Sequence, residues 1–198
     1  HAPALRTQTD EIKKFVAQLP FQLTNAQRKC AWTILQEMEH EFPMNRLLSG
    51  DVGSGKTVVA AIAILNAVHN DYQAVVLVPT AILAQQHFQT LTQFFQQTPY
   101  RISLCTSATK KTMLSDAEIV IGTHALLEDD ISFRKLGLAV IDEQHRFGVE
   151  QRKKLKTHSG VKNTMPHLLS MTATPIPRTL ALALFGDLGL SMMEEWPK

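Results

Sequence analysis

The residues with the clearest chemical potential form a glycine-studded turn, GDVGSGKT, at residues 50–57. Glycines at this spacing let the backbone adopt positive φ and turn its N–H groups inward onto phosphate oxygens. Lys56 adds a mobile cation for the β- and γ-phosphates, and the Thr57 hydroxyl is a candidate Mg²⁺ ligand. A helix that begins here directs the positive end of its dipole at the same anion. The sequence therefore predicts a nucleotide-binding loop formed by Gly50, Asp51, Val52, Gly53, Ser54, Gly55, Lys56 and Thr57.

A second candidate group is the pair of adjacent carboxylates, Asp142 and Glu143, which follows the apolar run LAVI. At the end of a strand, we expect Asp142 to hold Mg²⁺ through water and Glu143 to deprotonate the water that attacks a γ-phosphate. Acidic pairs also occur simply as solvent-facing strand ends, but a phosphate loop in the same chain favours hydrolysis. The predicted catalytic residues are therefore Lys56, Asp142 and Glu143.

Hydroxyl groups follow a further strand pattern in HLLSMTATPIPRTLALAL, residues 167–184. Two prolines then fix an extended turn ahead of a helix. Taken alone, this pattern is also typical of an ordinary capped loop, so the residues themselves leave its function open.

Composition is that of an ordinary globular protein, with 198 residues, 44% hydrophobic, 19% charged and a net charge of +2. No stretch reaches the ~18 consecutive apolar residues of a membrane span, and the N-terminus lacks the apolar core of a signal peptide. Cys30 and Cys105 are too few for a disulfide framework, so we expect reduced thiols and a cytoplasmic location. The basic run RKKLK, residues 152–156, is better explained as a solvated helix face than as a nucleic-acid patch.

Short apolar runs alternate with longer helical patterns, which predicts an α/β fold: a parallel sheet with helices on both faces. The predicted strands are residues 46–49, 74–78, 101–105, 118–121, 138–141 and 167–170. The predicted helices are residues 25–41, with Thr24 as N-cap, and 56–70, 81–97, 148–156 and 179–185. We interpret residues 1–18 as a lead-in, 19–190 as the nucleotide-binding domain and 191–198 as the start of a linker to a further domain.

In this order, GDVGSGKT, DEQH and MTATPIPRT resemble motifs I, II and III of superfamily 2 helicases. A resemblance to the RecG family of DNA translocases covers nearly the whole chain, in the strings PFQLTNAQ, PMNRLLSGDVGSGKT, LVPTAILAQQHF, VIGTHALL, IDEQHRFGVEQR and MTATPIPRTLAL. The Mfd translocase shares HRFGV and TATPIPRTL. Mfd typically has Tyr in place of Ser54 and Glu in place of Gln144, however, which favours RecG.

The resemblance implies roles for further residues. Gln27 would read the adenine edge and Phe21 would help to shape the adenine pocket, whereas without the resemblance Gln27 would be interpreted as an exposed helix residue. The residues that would couple the nucleotide to the DNA-binding surface are Gln144, His145, Thr172 and Thr174. The residues that would contact the DNA backbone are Pro79, Thr80, Gly122, Thr123, His124 and Arg178.

The implied fold is a P-loop NTPase domain, the first of two RecA-like lobes, with the strand before MTAT lying between the strands before GDVGSGKT and DEQH. The implied activity is movement on duplex DNA and remodelling of branched DNA, in repair and recombination, with ATP and Mg²⁺. The implied partners are DNA and the second lobe and wedge domain of the same full-length protein, which we expect to be a monomer without membrane contact. The chain contains no QxxGRxGR-like arginine-finger segment, so we expect the isolated lobe to bind ATP weakly and hydrolyse it very slowly.

Other functions remain open at this point. An RNA-acting DExH helicase or an Mfd-like translocase would share the motifs, and a non-motor ATP-binding or scaffold module would leave the chemistry to a partner. A small-molecule kinase is disfavoured, because no substrate-binding lid is apparent and the adjacent acids suit water activation. One segment departs from the RecG family, since only ATKKTMLSDA separates RISLCTS from EIVIGTHALL, which weakens the case for a DNA contact there.

Overall fold

The computed structural model describes residues 1–105, 116–128, 131–143, 149–161, 164–174 and 188–193. Within these ranges, a single sheet contains β1 (Asn45–Gly50), β2 (Gln73–Leu77), β3 (Ile102–Cys105), β4 (Ile119–Gly122), β5 (Leu136–Asp142), β6 (His167–Thr172) and β7 (Gly189–Met193). Every neighbouring pair is parallel, in the order β3-β4-β2-β5-β6-β1-β7. The six predicted strands are confirmed, and so is the position of β6 between β1 and β5.

The helices in the described part of the chain are α1 (Thr9–Ala17), α2 (Asn25–Met38), α3 (Lys56–His69), α4 (Ala81–Phe95) and α5 (Val149–Thr157), with a 3₁₀ helix at His124–Leu127. The predictions for α2 to α5 are confirmed, although α2, α3 and α4 end earlier than the apolar patterns indicated. Thr24 is the N-cap of α2, because its hydroxyl accepts a hydrogen bond from the Gln27 N–H at 3.1 Å. The predicted helix at 179–185 lies outside the described residues.

Alternate residues of the central strands point to opposite faces of the sheet, where two apolar clusters form. Val76 and Val140 lie in the larger cluster, which is covered by α1, α2, α3 and α4. Leu77 and Ile141 lie in the smaller cluster, with the 3₁₀ helix and Leu155 of α5. Helices therefore cover both faces, as predicted, and residues 58–68 of α3 are buried on all sides of the helix.

The basic run on α5 has the predicted exposed face. Leu155 is fully buried in the smaller cluster, whereas Lys153, Lys154 and Lys156 are exposed. Lys153 lies 3.9 Å from a carboxylate oxygen of Glu150, one turn away on the same exposed face.

Both ends of the described chain are more closely integrated with the sheet than the sequence indicated. In the supposed lead-in, Leu5 is fully buried, its N–H donates to Met38 O at 2.7 Å, and its carbonyl accepts from the buried Asn66 amide at 3.3 Å. The supposed linker start at 191 lies inside β7, where Ser191 is in register with Leu48 of β1 and Met193 is buried. We therefore propose that the domain includes residues 1–18 and continues at least to Met193.

A buried histidine ties the N-terminal segment to the amino end of β6. His167 is fully buried, its Nδ1 accepts from the Met44 N–H at 3.0 Å, and its Nε2 donates to Pro3 O at 2.7 Å. These two bonds require the neutral ring with its proton on Nε2. Burial lowers the pKa of His167, since the charged ring would lose its hydration.

Stability is therefore expected to fall as the pH drops through the ordinary histidine range. The unfolded chain binds a proton at a pH of about 6.5, whereas the folded chain binds it only at lower pH, so the His167 contribution is complete above ~6.5 and declines below it. His167→Asn keeps an acceptor for Met44 N–H but does not titrate. The variant should be less stable than the wild type at pH 7.5, and urea midpoints should fall less steeply for it between pH 7.5 and 5.5. Parallel pH profiles for the two proteins would contradict the assignment.

Candidate nucleotide site

The predicted phosphate loop connects the carboxyl end of β1 to the first turn of α3. Gly53 and Gly55 adopt φ of 85° and 84°, a region that side-chain-bearing residues rarely occupy. A Cβ on Gly55 would lie 2.2 Å from Gln27 Nε2, and a Cβ on Gly50 would lie 2.7 Å from Ser54 Oγ. Glycine is therefore favoured at 53 and 55 by backbone conformation, and a side chain at 50 or 55 would displace Ser54 or Gln27.

Lys56 is folded back onto its own loop. Its Nζ donates to Gly50 O at 2.6 Å and to Asp51 O at 2.9 Å. Burial lowers the pKa of Lys56, and the negative charges of Asp142, Glu143 and Asp51 oppose that shift. Asp142 and Glu143 are therefore close enough to Lys56 to act on its charge.

Ser54 contributes a buried hydroxyl that is unsatisfied by hydrogen bonding. Its side chain is 2% exposed, and its Oγ has no hydrogen-bond partner among the described residues. An unpaired buried hydroxyl is costly unless it is used by something that binds there. Together with the glycine turn and the Lys56 ammonium, this fits the binding of a phosphate.

Gln27 is buried, whereas without the family resemblance it would be interpreted as an exposed helix residue. It is 1% exposed, and its Nε2 donates to Ser54 O at 2.9 Å, so it supports the phosphate loop directly. Its Oε1 accepts from the Thr24 N–H at 2.9 Å and completes a capping box at the start of α2. Gln27 therefore lies beside the phosphate loop, and its adenine contact stays a prediction.

Phe21 lies in the connection between α1 and α2 and is 38% exposed. Its ring packs edge-to-face on Phe94 of α4, with the centroids 5.9 Å apart. With Arg28, it lines an open cavity of about 530 Å³.

The acidic pair lies at the carboxyl end of β5, between β2 and β6. Asp142 is held at both oxygens: Oδ1 accepts from the Glu143 N–H at 3.0 Å, and Oδ2 lies 2.8 Å from His87 Nε2 on α4. Glu143 has a φ of 56°, and its N–H also lies 3.0 Å from Met171 O of β6. This non-glycine left-handed conformation, held by the neighbouring strand, turns the chain sharply where the carboxylates stand.

His87 is the residue of this site that sequence reasoning missed. It lies on α4, 55 residues before Asp142 in the chain. The sequence predicts only that His87 lies on the helix after a strand of the same sheet. It does not indicate which side chain His87 contacts.

The predicted coupling hydroxyls lie at the end of β6, beside both halves of the site. Thr172 is 2% exposed, and its Oγ1 lies 2.9 Å from Thr174 Oγ1 and accepts from the Thr174 N–H at 3.2 Å. In the sheet, Thr172 is in register with Ser49 of β1. The other predicted coupling residues, Gln144 and His145, lie outside the described residues.

The predicted DNA-contacting residues lie near the same edge of the sheet. Thr80 caps α4, since its hydroxyl accepts from the Leu83 N–H at 3.3 Å. Gly122 ends β4, and its carbonyl accepts from the Val78 N–H at 3.0 Å. Thr123 is the N-cap of the 3₁₀ helix. Pro79 and His124 line a small crevice together with Asp142 and Glu143. Arg178 lies outside the described residues.

The oxygen donors fit a magnesium ion shared with phosphates. Thr57 and Asp142 offer the hard oxygen ligands that Mg²⁺ prefers, and Mg²⁺ usually takes only one or two of these from the protein. Among the described residues, no group of three or more His, Cys, Asp and Glu side chains could hold a metal by itself.

Comparison with known proteins decides the family. The model of the family described as DEAD/DEAH box helicase matches residues 24–183. The chain belongs to the DEAD/DEAH box helicase family. No helix in the described part of this family member is both long and apolar enough to cross a membrane.

Sequence comparison of this DEAD/DEAH box helicase chain with known proteins confirms its resemblance to RecG. It is 49% identical to the ATP-dependent DNA helicase RecG of Synechocystis sp. over 195 residues, which are 94% of this chain and 23% of that protein. It is 46% identical to RecG of Bacillus subtilis over 201 residues, which are 97% of this chain and 29% of that protein. The chain thus spans about a quarter of the length of these relatives.

Solved structures give the same result for the fold. A structure of RecG bound to a three-way DNA junction matches 99% of this chain and 27% of its own, with a TM-score of 0.85 and 40% identity. The UvsW helicase of bacteriophage T4 matches 94% of this chain with a TM-score of 0.67 and 16% identity, which shows the shared fold alone.

Proposed function

We propose that this chain is the ATP-binding lobe of a DNA helicase or translocase that hydrolyses ATP as it moves on duplex DNA and remodels branched DNA. The observation that carries the proposal is that the phosphate loop and the acidic pair lie on the same side of the sheet, at the carboxyl ends of β1 and β5 with β6 between them, and that Asp142 and Glu143 act on the charge of Lys56. The similarity to RecG, seen on a three-way junction, supports branched DNA as the substrate.

The loop would hold the nucleotide in the following way. Gly50 to Thr57 would wrap the phosphates, and Lys56 Nζ would exchange its bonds to two loop carbonyls for bonds to phosphate oxygens. Bound Mg²⁺ would neutralise charge on the β- and γ-phosphates, held by Thr57 and Asp142. Gln27 and Phe21 would contact the adenine, on the side of the loop where Gln27 already lies.

Hydrolysis and its coupling to DNA would use neighbouring strand ends. Glu143 would take the proton of the attacking water. The Thr172–Thr174 pair, with Gln144 and His145, would transmit the state of the nucleotide to the DNA-binding surface. That surface would contact the DNA backbone through Pro79, Thr80, Gly122, Thr123, His124 and Arg178, which explains binding without base recognition.

The full-length protein would supply the remaining parts. We propose a second RecA-like lobe that carries the arginine fingers, a wedge domain that engages the junction, a monomeric state and a cytoplasmic location. The chain's relatives are about four times its length, which leaves room for these parts.

One prediction concerns the chain by itself. Because arginine fingers contribute about 10³–10⁵-fold to the rate in related phosphoryl transfer, the 198-residue chain should bind ATP weakly and hydrolyse it very slowly, with or without DNA. A fluorescent ATP analogue gives the affinity, and phosphate release under excess protein gives the rate. Robust DNA-stimulated hydrolysis by this chain alone would contradict the need for a second lobe.

The substrate class is tested with the full-length protein. Steady-state ATP hydrolysis is measured without nucleic acid and with linear duplex DNA, branched DNA or structured RNA. The proposal expects stimulation by DNA, greatest for branched DNA. Stimulation by RNA but not by DNA would favour an RNA-acting helicase, and no stimulation by either would favour a non-motor module.

A further inference from the structure

The contact between His87 and Asp142 joins α4 to the carboxyl end of β5. Asp142 belongs to the DEQH motif, whereas His87 lies outside GDVGSGKT, DEQH and MTATPIPRT. His87 Nε2 lies 2.8 Å from Asp142 Oδ2, and the two side chains are only 11% and 16% exposed. Since Oδ1 already accepts the Glu143 N–H, the carboxylate has a defined partner at each oxygen. Two such bonds fix the rotation of a carboxylate, which a single bond leaves free.

The histidine is itself anchored on a helix that begins beside the site. α4 is capped by Thr80, directly after β2, and β2 is the neighbour of β5, with Leu77 in register with Ile141. One face of α4 is packed on the larger core cluster through Ala84 and Leu91, which flank His87 in the chain. The His87 side chain therefore connects α4, which begins at the β2–α4 corner, to the carboxyl end of β5.

We propose that His87 is a positioning residue for Asp142: its Nε2–H holds Oδ2 in the orientation that receives magnesium, and it links the hydrolysis site to the β2–α4 corner. The proposal rests on the proposed function, because Asp142 is assigned to magnesium there and Pro79 and Thr80 to DNA. Partners that orient a metal ligand commonly change metal affinity or activity by about 10–100-fold when they are removed.

Two substitutions of His87 separate hydrogen bonding from packing. His87→Leu keeps an apolar side chain of moderate size but has no donor. His87→Gln keeps an N–H donor at nearly the reach of Nε2, since the Gln Nε2 and the His Nε2 stand at similar distances from the backbone. His40→Leu is the matched control, because His40 is exposed between α2 and β1.

Binding of a fluorescent ATP analogue to the 198-residue chain is titrated against Mg²⁺ and again in excess EDTA. His87→Leu should raise the Mg²⁺ concentration at half-effect by about 10-fold, leave the affinity in EDTA unchanged, and be rescued by His87→Gln to within about threefold. His40→Leu should match the wild type. An unchanged Mg²⁺ dependence in His87→Leu, or a Gln variant as impaired as the Leu variant, would overturn the proposal.

An independent readout does not require nucleotide or the Leu variant. Long-range ¹H–¹⁵N spectra of the wild-type chain should show His87 with its proton on Nε2, and Asp142→Ala should shift that ring's nitrogen resonances while leaving those of His40 in place. An unshifted ring would overturn the positioning role. If neither the 198-residue chain nor the full-length protein binds the ATP analogue, the proposed function fails, and the ring resonances alone still decide whether His87 holds Asp142.

Discussion

Glu143→Gln is expected to slow ATP hydrolysis by about 10²–10⁴-fold, the usual contribution of a general base, while nucleotide affinity stays within about threefold. Glutamine has the same shape as glutamate but cannot take a proton from water. The backbone at residue 143 should be unaffected, since its N–H is held by Met171 O and Asp142 Oδ1 and its φ of 56° does not depend on the side-chain charge.

The hydrolysis rate for Glu143→Gln is best measured in the full-length protein with branched DNA, where the proposed function expects the highest wild-type rate. Binding of the ATP analogue to the same sample shows that the site is intact. Glu41→Gln, an exposed carboxyl between α2 and β1, serves as the matched control and should hydrolyse ATP at the wild-type rate. A Glu143→Gln protein that retains most of the wild-type rate would remove Glu143 from the chemistry.

Lys56→Ala is expected to weaken nucleotide binding by about 10–100-fold, because hydrogen bonds to charged groups contribute ~1.5–3 kcal/mol and each 1.4 kcal/mol is a factor of ten. Within the described part of the chain, the Lys56 ammonium donates to two carbonyls of its own loop, so its loss should disturb the fold little. The affinity of the fluorescent ATP analogue is the quantity to measure, with a thermal unfolding curve to confirm that the chain is folded.

Lys135→Ala is the matched control for Lys56→Ala. Its ammonium lies 3.9 Å over the Tyr72 ring, before β5 and so at the opposite edge of the sheet from the phosphate loop. It should bind the analogue like the wild type. If Lys56→Ala also binds like the wild type, the loop is not a phosphate site, and a non-motor module becomes the better explanation.

The conformation of the loop at residues 50–57 was predictable because its determinants are local. Glycines that must adopt positive φ, a lysine and a following helix lie within one short segment, so the sequence contains the whole arrangement. The acidic pair was predictable for a similar reason, since an apolar strand that ends in two carboxylates presents them at the edge of a parallel sheet. The order of β1, β6 and β5 followed from the family resemblance, not from periodicity.

Contacts between distant segments were not predictable from the same patterns. The burial of Gln27 depends on the phosphate loop packing against the start of α2, and nothing in the helix pattern of α2 shows that. The His87–Asp142 contact joins residues 55 apart and depends on how α4 lies across the end of β5. Position in three dimensions, not residue type, determines the contacts of Gln27 and His87.

The contacts at both ends of the described chain were not predictable for the same physical reason. β7 is short, and it is stabilised by pairing with β1, more than a hundred residues earlier in the chain. The N-terminal segment likewise acquires its structure from the non-local contacts of Leu5 and Pro3 with Met38 and His167. Local composition therefore predicts only a connecting segment in each case.

The most direct test of the account is a crystal structure of this chain with Mg²⁺ and a non-hydrolysable ATP analogue. The account predicts the triphosphate on residues 50–57, with Lys56 Nζ bonded to phosphate oxygens instead of the carbonyls of Gly50 and Asp51. The contrary result would be an analogue in the cavity of about 600 Å³ beside Tyr72 and Tyr100, at the other edge of the sheet, with Lys56 still folded onto its loop.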